Sequence, residues 1–212
     1  MIREIWGRKI GMTQIFSQQG DLVAVTLIEV GPCRVLEIKR VNNKEKVVIG
    51  YKEVQKSRQK KKPQEGYFKK LNQPYFKYVK ESEKLEGAEL ACGQDLGAEI
   101  FSENESVDIR GVSIGKGFQG GMKRYNWSGQ PASHGSMTHR RIGSAGASTY
   151  PGRIVKGHPM PGHLGNSQVT VKNLKVLKID KERNLVFIKG SCPGSKNSLV
   201  IIRKKNGVSS TK

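Results

Sequence analysis

The sequence predicts a mainly β protein: a small antiparallel barrel closed by joining the two ends of the chain, interrupted by two inserted segments. Three observations carry this. Short β-branched or alternating runs bounded by turn sequences lie near both termini. A 212-residue chain with 35% hydrophobic content can bury one moderate core and little more. Finally, residues 110–179 contain no Asp or Glu, although eighteen acids spread evenly over the chain would place about six there.

Taken in order, residues 12–16, 22–30, 34–40 and 47–54 read as strands, separated by Gln18-Gln19-Gly20-Asp21, Gly31-Pro32 and Asn42-Asn43-Lys44. Residues 56–93 form the first insertion. It opens on a basic run at 56–62, continues through Tyr67, Phe68, Tyr75, Phe76 and Tyr78, and reaches Glu81-Ser82-Glu83; a short helix and a strand are expected in it. A basic run is ordinarily a solvated face, but aromatics this close also suit RNA contact, with Lys60, Lys61 and Lys62 as candidates. After the acid-free stretch, residues 174–180 and 185–189 flank Lys181-Glu182-Arg183-Asn184 as a hairpin, and 198–203 make a last strand. The expected division is barrel at 1–55, an α+β insertion at 56–93, barrel again at 94–110, an extended loop at 111–165, and the C-terminal part of the barrel at 166–212. Closure of the barrel leaves no open sheet edge.

The acid-free stretch holds eleven Lys or Arg and all four histidines, with thirteen glycines between Gly111 and Gly165. Such a segment lacks the apolar area to offset the entropy of ordering it, so it needs a partner of opposite charge. Nucleic acid fits, because phosphates attract each cation and repel any carboxylate. The formal charge of +20 agrees. A membrane is the rival reading of basic charge, yet the longest uncharged apolar run, residues 22–28, is far too short to span a bilayer. Residues 1–7 show neither the apolar core of a signal peptide nor an amphipathic presequence, so a cytoplasmic location is expected. Cys33, Cys92 and Cys192 lie far apart and form no CxxC pair, and are read as reduced structural thiols.

Gly115-Lys116-Gly117-Phe118-Gln119-Gly120 matches GxGxxG. A dinucleotide site would also need a long following helix and an acid about twenty positions on. The next acid is Asp180, and Gly121, Asn126, Gly129 and Pro131 interrupt any helix, so the glycines are read as places of close backbone approach or sharp turning. His134 with His139 and His158 with His163 form two His-x4-His pairs, but no thiolate or carboxylate lies near to complete or orient a metal site. No metal or cofactor is expected. Nor is catalysis, since neither a carboxylate nor a His with an acidic partner is available in this segment. Lys116, Lys123, Arg124, Arg140, Arg141, Arg153 and Lys156 are the candidate phosphate contacts, and His134, His139, His158 and His163 suit bases, phosphates or 2′-hydroxyls. Tyr125, Trp127 and Tyr150 either form a small satellite core or stack on unpaired bases.

These residues also resemble a known family, the large-subunit ribosomal proteins called L3 in their bacterial form. Phe101 is followed after six residues by Asp108, then by Gly111, Ser113, Gly115-Lys116-Gly117, Gly120 and Arg124. Further matches are Gly7-Arg8-Lys9-Ile10-Gly11-Met12-Thr13, Ser133-His134-Gly135-Ser136, His139-Arg140, Gly143-Ser144, Pro151-Gly152, Lys156-Gly157, Gly162, Gly165-Asn166 and residues 190–194. The likeness covers almost the whole chain; across 44–98 it is one of length and placement only.

The resemblance implies a six-stranded antiparallel Greek-key barrel of the translation-protein type, with an extension of roughly residues 111–165 reaching through large-subunit (23S-type) rRNA toward the peptidyl transferase centre. Its innermost parts would be 126–130 and 146–150, which makes Ser148 and Thr149 candidate contacts together with Trp127. Arg8 and Lys9 are candidates outside the loop. The resemblance further implies early action in subunit assembly, near the 3′ end of the rRNA, and contact with neighbouring large-subunit proteins, numbers fourteen and nineteen of the bacterial subunit. Some members carry a methylated glutamine in the inner loop; Thr149 stands at that place here, so the modification is not expected. A free-standing RNA- or DNA-binding regulator is the alternative, but basic residues in the insertion, the loop and at Arg203-Lys204-Lys205 suit burial among many RNA helices better.

Overall fold

The computed structural model describes residues 2–17, 19–41, 44–84 and 90–205. In chain order the elements are β1 (Glu4–Phe16), β2 (Leu22–Val30), β3 (Cys33–Val41), β4 (Lys44–Glu53), α1 (Lys62–Lys70), β5 (Phe76–Glu83), β6 (Asp95–Leu96) and β7 (Ser106–Val112). There follow β8 (Gly117–Gln119), α2 (Gly121–Tyr125), β9 (Gly162–Leu164), β10 (Gln168–Asp180), β11 (Leu185–Lys189) and β12 (Leu199–Lys204). No helix among the described residues is long and apolar enough to cross a membrane.

The protein is mainly β, and its largest sheet is a closed antiparallel barrel of six strands in the order β1-β12-β7-β10-β11-β2. The two ends of the chain do join, in register from Glu4↔Arg203 to Arg8↔Leu199. Alternation explains the inward face: Ile5, Ile28, Val30, Val107, Ile109, Val176, Val186, Ile188, Val200 and Ile202 are all buried in one core. Each such side chain contributes roughly 1.5–3 kcal/mol by leaving water. β10 is long enough to serve both β7 and β11, and bends between them through register shifts at Val171/Leu174 and Val176/Lys178. At the first shift Asn173 takes a left-handed φ of 58°, and Asp108 on β7 accepts its freed N–H at 2.9 Å.

The expectation that residues 34–40 and 47–54 belong to the barrel is corrected. β3 and β4 join β5 and β6 in a separate four-stranded sheet of order β5-β4-β3-β6. Burial gives the reason. Val47, Ile49 and Tyr51 pack into the barrel's core cluster, while the intervening Val48 joins Leu36, Val54, Phe68, Tyr75 and Phe76 in a second cluster beneath α1. A strand buried on both faces serves as a partition between two cores, a place that a barrel wall exposed on one side cannot offer. The expected short helix and strand of the insertion are α1 and β5.

Residues Met1–Val112 with Gln168–Lys212 form one compact unit, and Ser113–Ser167 form a second.

Candidate nucleic-acid interface

The acid-free segment closes on itself at its two ends. Ser113 N–H donates to the Ser167 carbonyl at 2.9 Å, Asn166 N–H to the Ser113 carbonyl at 3.1 Å and Lys116 N–H to the Leu164 carbonyl at 2.9 Å. The ladder continues as Gly117↔Leu164, Phe118↔His163 and Gln119↔Gly162. Gly165 is required here: its φ is +77°, and a Cβ would lie 2.2 Å from the Ile114 carbonyl oxygen. The glycine-rich motif is therefore the base of a two-stranded neck.

Beyond the neck a single turn and a half of helix, α2, ends at Asn126, whose left-handed backbone (φ 59°, ψ 39°) stops it. Trp127 then folds back over Gly121, where an added Cβ would fall 2.0 Å from the indole ring. The Tyr125 and Trp127 rings stack at 6.2 Å with an interplanar angle of 21°, and the Arg124 guanidinium sits 5.1 Å from the Tyr125 centroid. Arg124 also donates to the Met160 carbonyl and covers Gly162. Trp127 therefore has the intramolecular contacts that the satellite-core reading calls for, and Arg124 is half-buried beside Tyr125. Both hold the shape of the segment before either meets a ligand.

What remains on the surface is cationic and apolar. Lys116, Lys123, Arg140, Arg141, Arg153 and Lys156 are all exposed, and the unit holds no carboxylate to pair with any of them. His134, His139, His158 and His163 are likewise exposed. His134 and His139 adopt φ of 57° and 46°, in turns where the Gln130 N–H meets the His139 carbonyl at 2.8 Å. Among the described residues no three of His, Cys, Asp or Glu come together as metal ligands would. Ser148 and Thr149 stand exposed at a turn, where Ser148 bridges to Pro151.

The segment displays further large apolar side chains, of which the sequence reading named Tyr150 alone as a stacking candidate. Phe118 is 76% exposed, Met137 85% and Tyr150 91%, with Ile154 and Val155 exposed beside them. Among the described residues, no large side chain of this unit is fully buried. The signal was present in the sequence as single apolar residues set among glycines without a 2 or 3.6 period, a pattern with no face to bury. Tyr150 and Phe118, rather than Trp127, are the most open aromatics of the unit.

Outside this unit the candidate contacts divide. Arg8 is taken up by Glu29 at 2.7 Å, and the Lys9 ammonium donates to the carbonyls of Cys192 at 2.7 Å and Gly194 at 2.9 Å. Both side chains, named as candidate RNA contacts, thus also fasten the barrel. Lys61 and Lys62 are exposed and Lys60 half-exposed. The nearby aromatics do not face outward with them, since Phe68, Tyr75 and Phe76 pack on one another at centroid distances of 4.9 and 6.1 Å under α1. The basic run thus presents its charge apart from these three rings.

Electrostatics separate the two units. Acids of the larger unit are bound to its own cations, as in Glu4 with Lys80 and Arg203, Glu45 with Lys84 and Arg40, and Asp95 with Arg34. The smaller unit holds seven Lys or Arg and no acid. Its positive charge is therefore uncompensated within the unit.

Comparison with known proteins agrees with this geometry. The sequence profile of the family described as Ribosomal protein L3 matches residues 82–184. A protein of Brachyspira hyodysenteriae named large ribosomal subunit protein uL3 is 44% identical over 209 residues, covering 95% of this chain and 95% of that protein. The protein of the same name from Brevibacillus brevis is 46% identical over 211 residues, covering 97% of this chain and all of that protein. With likeness of that degree along nearly its whole length, on a barrel that carries an acid-free basic segment, this chain belongs to the bacterial ribosomal protein L3 family.

Proposed function

We propose that the chain is a structural, non-catalytic constituent of the large ribosomal subunit, and that residues 113–167 are its main rRNA-binding element. One observation carries the reading: a unit with seven cations, no carboxylate and no fully buried large side chain among its described residues has surface that only a polyanionic, base-bearing partner satisfies. Phosphates take the exposed lysines and arginines, while unpaired bases cover Phe118, Met137 and Tyr150.

The finer reading follows family resemblance. The barrel is of the translation-protein Greek-key type, and the segment runs through large-subunit rRNA toward the peptidyl transferase centre with 126–130 and 146–150 innermost. The chain acts early in assembly in the cytoplasm, beside proteins fourteen and nineteen. Sedimentation of a tagged chain from cell lysate tests the main claim: it is expected in the large-subunit fraction, and recovery in slow fractions as a free regulator would overturn it. Photo-crosslinking from Tyr150 with nucleotide-level readout tests the placement, with adducts expected in rRNA that lines the catalytic centre.

A further inference from the structure

Residues 10–24 contain a single charged side chain, Asp21, whereas 38 basic and 18 acidic residues spread over 212 positions would put about four there. These residues are the far part of the β1–β2 hairpin. β12 pairs with β1 only as far as Arg8, and β11 pairs with β2 only from Val25 onward. Residues 11–16 are laddered to β2 alone, so among the described residues no strand covers the outer edge of β1. The barrel closes everywhere except along this arm.

One face of the arm is apolar and open. Alternation puts Met12, Gln14 and Phe16 on it, together with Ala24 and Leu22, the register partners of Gln14 and Phe16. All five are exposed, Phe16 at 76% and Leu22 at 56%. The neighbouring cations are not available to it. Arg8 is held by Glu29 and Lys9 by two carbonyls, while Lys189, the register partner of Val25, lies on the opposite face. A long uncharged edge without Lys or Pro is the kind that soluble proteins avoid leaving uncovered. Without Lys or Arg it lacks the cations that draw phosphate to the rest of this chain.

We propose that this hairpin is a protein-docking arm: a neighbouring protein chain adds an extended strand to the open edge of β1 and lays apolar side chains against Met12, Phe16 and Leu22. Backbone pairing along residues 11–16 supplies affinity, and the alternate apolar positions supply register. The chain thus divides its contacts, with protein on the neutral arm of the larger unit and RNA on the basic segment. The inference rests on the ribosomal reading, which provides protein neighbours, and adds the surface that receives one.

The test uses the full chain in assembled subunits. A photoreactive phenylalanine replaces Phe16, and in a second strain Met12; large subunits are purified through high salt and irradiated. The expected product at both positions is a ribonuclease-resistant adduct with one large-subunit protein, joined through an extended apolar peptide identified by mass spectrometry. Phe16→Glu, at a site exposed in the free protein, is expected to leave its circular dichroism and melting unchanged while lowering the Met12 adduct about tenfold or more. Adducts with rRNA at both positions overturn the proposal, as does the absence of any adduct when a probe at Tyr150 reacts, or an adduct indifferent to Phe16→Glu. Failure of the unsubstituted chain to enter large subunits is a distinct result, which overturns the ribosomal reading and this inference with it.

Discussion

Gly121 and Trp127 illustrate how far a single position decides the binding segment. The indole occupies the space a Cβ would need, so Gly121→Ala forces the ring away from α2 and from Tyr125. Its tryptophan fluorescence is expected to shift toward that of a solvated indole while the barrel's melting temperature stays put, and an unchanged emission spectrum would show that the ring was never seated there. The thiols give a second residue-scale expectation. Burial pushes the Cys33 thiol up to about 12 and raises Cys192 as well, whereas Cys92 is exposed. Because the thiolate is the reacting form, a disulfide reagent is expected to titrate one thiol in the native protein and three after unfolding. Fast reaction of two or more in the native state would contradict this burial. The sequence reading took all three cysteines as structural, which burial supports for Cys33 and Cys192 but not for the exposed Cys92; it left Trp127 open, because an aromatic amid glycines reads alike whether it packs on its own chain or on a base.

At the scale of elements, β6 is two residues long and depends on Arg34, which faces Asp95 in register and binds it through two contacts of 2.7 Å. The Arg34 guanidinium holds the Asp95 carboxyl below its ordinary 3.8, outweighing the opposing effect of partial burial. A carboxyl depressed on folding stabilises the native state above its unfolded pKa, and that contribution fades as pH falls through the folded value. The pair is half solvent-exposed on the acid's side, so Asp95→Asn is expected to cost at most about 1 kcal/mol at neutral pH. In denaturant titrations the gap between variant and parent is expected to narrow below pH 3.8 and close as Asp95 becomes protonated; a constant gap would mean that the carboxylate does not act through its charge. Strand existence was easier to foresee than strand membership. β2 and β11 follow runs that are almost wholly apolar or β-branched with turn residues at each end, and are found where expected. The first half of β1 was hidden by Gly7, Arg8, Lys9 and Gly11, and β7 by charges at alternate positions, Asp108 and Arg110, that point away from the core. Nothing in local alternation says which sheet a strand joins. β3 and β4 were assigned to the barrel because their second buried face depends on α1, which lies many residues further along the chain.

At the scale of the whole molecule, a formal charge of +20 is not spread as a uniform field. All 18 acids lie in the larger unit, where ion pairs across strands take up part of its 31 Lys and Arg, whereas the seven cations of the smaller unit have no carboxylate of their own and gather counterions that a polyanion displaces. This division was legible in the sequence as the acid-free stretch, and the same stretch told that its cations face outward; that Arg124 would turn inward was not legible, since its acceptor is a backbone carbonyl 36 residues away. The division has a measurable consequence in the salt dependence of rRNA binding. Each phosphate contact releases condensed counterions, worth roughly 0.7–0.9 in the slope of log affinity against log salt. Lys116→Ala, Lys123→Ala, Arg140→Ala and Arg141→Ala are each expected to lower the slope by about that amount and to weaken binding without abolishing it. Arg8→Ala and Lys9→Ala are the contrast: they remove equal charge, but charge already committed to Glu29 and to the carbonyls of Cys192 and Gly194. Their effect is expected in the stability of the barrel, with the slope held at the parent value. Filter binding of the free chain to large-subunit rRNA at several salt concentrations reads both. If all six variants lower the slope alike, the molecule binds through its total charge and the segregation of its ion pairs has no bearing on recognition. If none of the four loop variants lowers it, the acid-free segment does not lie against phosphate.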